Sequence, residues 1–304
     1  MMETLANSRR EVLIVAWAAT LLASSLGIIL WRELVGSEPY WLPWIHAIGL
    51  LVIFSLTLVR RNLKPLRSFL AILLVIFFFG FGGGWQFGII PFIRESSIWT
   101  SWESQVPWAL SAVVYHIIRL SPALAILSFL LLKGRKRQDF FLAKGKIDAP
   151  VEPSRLIGMK KPEPWTRIGT IFAVVIASGT FAYLVLSSSL SFDALIAALP
   201  LIPAALLIAV INAFNEEFTL RAAPLSELLS PIGKQEALMT TTVFFGLGHF
   251  YGVPAGVVGV LLSSFLGWFL GKSMLETKGF FWAWLIHFLS DAFIFTFFAI
   301  SAIT

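Results

Sequence analysis

A helix needs roughly 20 consecutive apolar residues to cross a bilayer core of ~30 Å. Such runs, separated by short polar breaks, recur at 12–31, 41–59, 69–92, 105–132, 168–187, 193–215, 237–250, 255–271 and 280–300. The pattern predicts an all-α fold, a polytopic transmembrane helical bundle of eight or nine spans. The seventh run is short, which is tolerated where a segment is buried in protein or lines a wet cavity. A basic, proline-containing stretch divides the chain. About four spans over 1–132 precede it, the stretch itself forms a loop over 133–166, and a second membrane domain follows over 167–304.

Composition favours lipid as the solvent. Of the 304 residues, 58% are hydrophobic and only 13% charged, with a mean hydropathy of +0.84, whereas soluble domains carry about 25% charged residues. The run after Arg9 and Arg10 continues through Ile28–Leu30 without a small-residue cleavage pattern, so it reads as a retained span. Cysteine is absent, which excludes disulfides and thiolate metal sites.

The net charge of +6 is unevenly placed. One set of alternate segments holds Arg9, Arg10, Arg60, Arg61, Lys64, Arg67, the cluster from Lys133 to Arg167, Lys234, Lys272 and Lys278; the opposite set holds only Arg32 and Arg94. Lys and Arg concentrate in cytoplasmic loops, so the expectation is a multi-pass cell-membrane protein with a cytoplasmic N-terminus. Nine spans would put the C-terminus outside, and an even number would put it inside. The basic stretch reads as an ordinary cytoplasmic loop, or as a binding surface for anionic headgroups or an acidic partner. No nucleic-acid partner is expected. The glycines of Gly80–Phe81–Gly82–Gly83–Gly84 lack the Gly-Lys-Ser/Thr continuation of a phosphate loop and read as close packing or a kink. Trp31, Trp41, Trp44, Trp85, Trp99, Trp102 and Trp165 fall near span ends, as interfacial belts do.

Ionisable residues inside spans cost at least ~2.5–3.5 kcal/mol each at a helix centre and so point to function. His46, His116 and Arg119 each stand alone in the first half and read as structural or interfacial. The second half is different. Glu217 and Arg221 are four apart with the acid first, the favoured order for a helical ion pair, while Glu216 is turned about 100° away and shares a face with Asn212. His249 follows in a later run, and His287 and Asp291 share a face of the last one. If the sixth helix continues to about Ser230, Glu216 lies roughly 21 Å along it from the cytoplasmic end, His249 about 20 Å from a start near Glu236, and His287 about 12 Å past Gly279. The geometry allows one site.

Such a set supports two chemistries. A carboxylate and an imidazole can hold a water and take its proton as it attacks a carbonyl, and a second imidazole can stabilise the oxyanion. Alternatively Glu216, His249, His287 and Asp291 could ligate Zn²⁺. The sequences Glu216–Glu217–Phe218–Thr219–Leu220–Arg221, Phe245–Gly246–Leu247–Gly248–His249 and His287–Phe288–Leu289–Ser290–Asp291 resemble the E-E-x-x-x-R, F-x-x-x-H and H-x-x-x-N/D motifs of the CPBP family, in the family's order, over about residues 165–300. That family comprises CAAX-type prenyl-protein endopeptidases with bacteriocin-processing and self-immunity (Abi) proteins.

The resemblance implies a CAAX-protease-like core in the C-terminal half and a metal-independent glutamic endopeptidase without cofactor. Glu216 would be the general base and His249 its partner on the water. His287 and Asp291 would form the oxyanion side, with Glu217, Arg221, Phe245 and Asn212 supporting. The eukaryotic prenyl-protein enzymes carry Asn where this chain has Asp291. An ionised carboxylate repels an oxyanion, so Asp291 is expected either to be protonated or to orient His287. The substrate would be a peptide or protein at the membrane. The competing classes are a non-catalytic immunity or sorting factor that keeps the fold, and a proton-coupled transporter using the same residues as a relay.

Overall fold

A computed structural model describes residues 2–81, 86–188 and 191–303. The sequence features at Gly82, Gly83, Gly84 and Trp85 lie outside the described residues. Among those described, seven helices are long and apolar enough to cross a membrane: Leu42–Val59, Arg61–Phe79, Trp108–Leu132, Trp165–Ser187, Asp193–Ile232, Gly256–Thr277 and Phe281–Ser301. An eighth is the pair Ser8–Ala23 and Leu26–Val35, bent by 54°. The bend falls at Ser24–Ser25, where the Ser24 hydroxyl donates to Leu21 O at 2.8 Å and accepts from the Leu26 amide at 3.2 Å. Such local side-chain bonds compete with the helical ladder.

Two expected spans differ. The run 69–92 ends at Gly80, which adopts φ +68° and returns its N–H to the last turn, so helix Arg67–Phe79 stops there and a separate helix begins at Ile89. The run 237–250 is a helix of 14 residues, Lys234–Leu247. It rises only ~21 Å at 1.5 Å per residue, short of the ~30 Å core.

The chain forms two compact units, Met1–Glu95 with Pro122–Phe140 and Thr219–Gly271, and Ser96–Ser121 with Phe141–Phe218 and Lys272–Thr304. In both, large apolar side chains such as Val174, Val257, Leu261 and Leu262 are exposed, while Asn215, Glu217, Thr219 and Arg221 are buried. Apolar groups outside and polar groups inside suit a lipid solvent.

Three helices of the second unit position the buried polar residues. Ala205, Ile208 and Ala209 of helix Ile202–Glu216 pack with Phe295 and Ala299 of helix Phe281–Ser301, and Trp108, Ala112 and Val113 of helix Trp108–Arg119 close on them. Small residues let helix backbones approach closely in a membrane. Each stripe continues as polar side chains one or two turns on: Ala205, Ala209, Asn212 and Glu216 on one helix, Ala299, Phe295, Asp291 and His287 on another. The spacing of three to four keeps each set on one face.

Residues 141–167 are folded onto this unit rather than forming an open loop. Pro150–Val151 pairs antiparallel with Glu163–Pro164. The indole of the fully buried Trp165 donates to Glu276 Oε2 at 2.8 Å, and Trp282 donates to Ile147 O at 2.8 Å. Gly145 has φ +72°, and a Cβ there would lie 2.6 Å from the Gly279 Cα. Backbone lies directly on backbone at that point.

Candidate active site

In the second unit the polar ends of the three stripes meet. His287 and Asp291 are 4% and 5% exposed, Asn212 is 5% and Glu217 is fully buried. His287 Nδ1 lies 2.7 Å from Glu217 Oε1. A carboxylate accepts only, so Nδ1 carries a proton and Glu217 fixes the orientation of the ring; Nε2 donates when it too is protonated. The other ring nitrogen, Nε2, faces Asp291 Oδ1 at 3.5 Å and Glu216 Oε2 at 3.8 Å.

Asn212 links the two remaining carboxyl groups. Its amide nitrogen donates to Asp291 Oδ2 at 3.0 Å and to Glu216 Oε1 at 3.2 Å, while its Oδ1 accepts from Arg119 Nη1 at 3.1 Å. Arg119 Nη2 lies 3.6 Å from Glu216 Oε1. A flipped amide would set its oxygen against two carboxyl oxygens and its NH2 against a guanidinium, so the network fixes the amide orientation. Glu216 therefore has one oxygen anchored by Asn212 and Arg119 and the other directed at the His287 edge.

Arg119 was expected to be structural and alone. It instead joins the cluster, and so does His116, whose Nδ1 donates to Ala112 O at 2.8 Å and whose Nε2 lies 3.4 Å from Arg119 Nη1. The Arg119 carbonyl also accepts from Asn215 Nδ2 at 2.6 Å. The available signal was the spacing Ala112, His116, Arg119, one helical stripe carrying two ionisable groups. His46 does have a structural environment, with Nδ1 2.6 Å from Leu22 O.

In the first unit, His249 Nδ1 lies 2.8 Å from Phe245 O. A carbonyl accepts, so Nδ1 donates and the neutral ring keeps its lone pair on Nε2. The ring packs on Phe245 at 4.3 Å between centroids, and the Arg221 guanidinium lies 4.3 Å from the same Phe245 ring. Gly267 leaves room for both, since a Cβ there would stand 3.3 Å from Arg221 Nη2 and from Phe245. The Phe of F-x-x-x-H is thus a platform for an arginine as well as a spacer for the histidine. Residues Glu217–Ala222 form a π-helical segment. Wider turns of this kind recur at functional sites. Among the described residues no group of three or more His, Asp or Glu is placed to hold a metal ion.

Residues 198–293, about a third of the chain, match the family model of type II CAAX prenyl endopeptidase Rce1-like proteins. This stretch is similar to the Rce1-like CAAX endopeptidases. It contains every motif residue from Asn212 to Asp291, while Arg119 and His116 lie outside it. No curated protein and no solved structure matched the chain. A buried Glu–His network within a Rce1-like stretch of a multi-pass membrane protein is consistent with an intramembrane hydrolase of Glu/His type.

Proposed function

We propose that this protein is an intramembrane endopeptidase that hydrolyses a peptide bond near the membrane with a water activated by Glu216 and His249. Glu216 takes a proton as the water oxygen bonds to the scissile carbonyl carbon; the motif resemblance gives His249 the role of its partner on the water. The oxyanion develops beside His287, whose Nε2 edge supplies the hydrogen bond. The C–N bond then breaks, and the departing amine takes its proton from Glu216. Glu217 holds His287. Asp291 accepts from Asn212 and faces His287, which gives it an orienting role. Substrates are peptides or protein tails at the membrane surface, with or without a lipid.

The observation that carries this reading is the anchoring of a single Glu216 oxygen by Asn212 inside a Rce1-like stretch. The test compares membrane peptides, by mass spectrometry, from cells carrying the wild-type chain, no chain, or Glu216→Gln. A peptide that accumulates uncut in the last two and is cut in the first supports cleavage. Identical peptide sets, with proton-coupled substrate flux in liposomes, would support a transporter instead.

A further inference from the structure

The stretch matched to the Rce1-like family ends short of the N-terminal half, yet the side chain that orients Asn212 comes from there. Arg119 Nη1 bonds Asn212 Oδ1 at 3.1 Å, and Asn212 in turn donates to Glu216 and Asp291. Without a donor on Oδ1, the amide keeps only the two carboxyl groups to oppose a flip, and its oxygen is left without the guanidinium that holds it. We infer that Arg119 is a positioning residue, which holds Glu216 both directly, with Nη2 at 3.6 Å from Oε1, and through Asn212, and holds Asp291 through Asn212. This rests on the reading of Glu216 as general base.

Three features favour positioning over simple packing. Arg119 is itself held from behind, with His116 Nε2 at 3.4 Å and His116 locked in turn to Ala112 O. Its backbone is tied independently, because Asn215 donates to the Arg119 carbonyl at 2.6 Å; substituting the side chain leaves that bond in place. The contact also joins residues 93 positions apart, so the first half of the chain supplies part of the site rather than only a scaffold.

The experiment is a double-mutant cycle in proteoliposomes with Arg119→Gln, Asn212→Ala and the pair, together with Arg119→Lys. A misplaced reacting group can cost about 10²-fold in rate. Arg119→Gln is expected to lower kcat by about that factor with KM little changed, the pattern of a contact that matters in the transition state. The double variant should lose clearly less than the product of the two single losses, because residues that share partners in one network are non-additive. Arg119→Lys, which keeps a donor, should recover part of kcat. Multiplying losses in the double variant, or an Arg119→Gln enzyme with wild-type kcat, would overturn the inference. Thermal unfolding of the same proteins forms a second cycle. If no variant or wild-type protein cleaves anything, the function fails, while coupling in unfolding still decides whether Arg119 acts on Asn212: additive losses there overturn the inference as well.

Discussion

Glu216 and Glu217 are adjacent in sequence and differ in surroundings. Glu217 is fully buried against His287 Nδ1, whereas the Glu216 side chain retains 14% exposure. Glu216→Gln should abolish turnover and leave the thermal midpoint in detergent near wild type. Glu217→Leu should lower that midpoint as well, since it strands a buried imidazole donor at a cost of about 1–3 kcal/mol. Equal, purely catalytic losses in both variants would mean that the roles are divided wrongly. Asp291→Asn is expected to be tolerated. Its amide oxygen can accept from Asn212 as the carboxyl oxygen does. Measured kcat should stay close to wild type in Asp291→Asn and collapse in Asp291→Leu. Loss in both would require the charge on Asp291 itself.

At the scale of elements, the four-residue spacings made half of the site legible. Asn212 with Glu216 and His287 with Asp291 read directly as shared helix faces, because a regular helix repeats about every 3.6 residues. Arg119 was not legible. A lone arginine near the end of an apolar run resembles one that reaches for the membrane surface, and its partner Asn212 lies far along the chain. The π-helical turn at Glu217–Ala222 was hidden for a different reason, since no residue pattern marks a wider turn. The fold of 141–167 was masked by its basic composition, which matches any cytoplasmic loop, while its buried anchors Val151 and Trp165 are isolated in sequence. Gly145 tests that element. A branched residue there meets both the positive φ and the Gly279 backbone, so Gly145→Val should detach the segment. Limited trypsin digestion at Lys160–Lys161 should then accelerate, and unchanged digestion would mean that the segment is held elsewhere.

For the whole molecule, charge and helix length have to be reconciled. We propose, from the positive-inside rule, that an even number of crossings separates Lys234 from Lys272. Gly256–Thr277 supplies one. The other then falls to helix Lys234–Leu247 and the turn after it, too short for lipid and tolerable where protein or water surrounds it. A single cysteine at Gly252, in a chain that has none of its own, should react with an impermeant reagent from outside, and one in the 133–166 stretch only after permeabilisation. Labelling of both from the same side would break the orientation. Hydrolysis through Glu216 is tested with purified wild-type protein and Glu216→Gln in liposomes, after dialysis against a strong chelator, on the peptide found to accumulate in cells. The wild type is expected to cleave it and Glu216→Gln to leave it intact. Cleavage by Glu216→Gln at the wild-type rate would contradict this, as would wild-type activity lost on dialysis and fully restored by Zn²⁺, which would turn Glu216, His249, His287 and Asp291 into metal ligands.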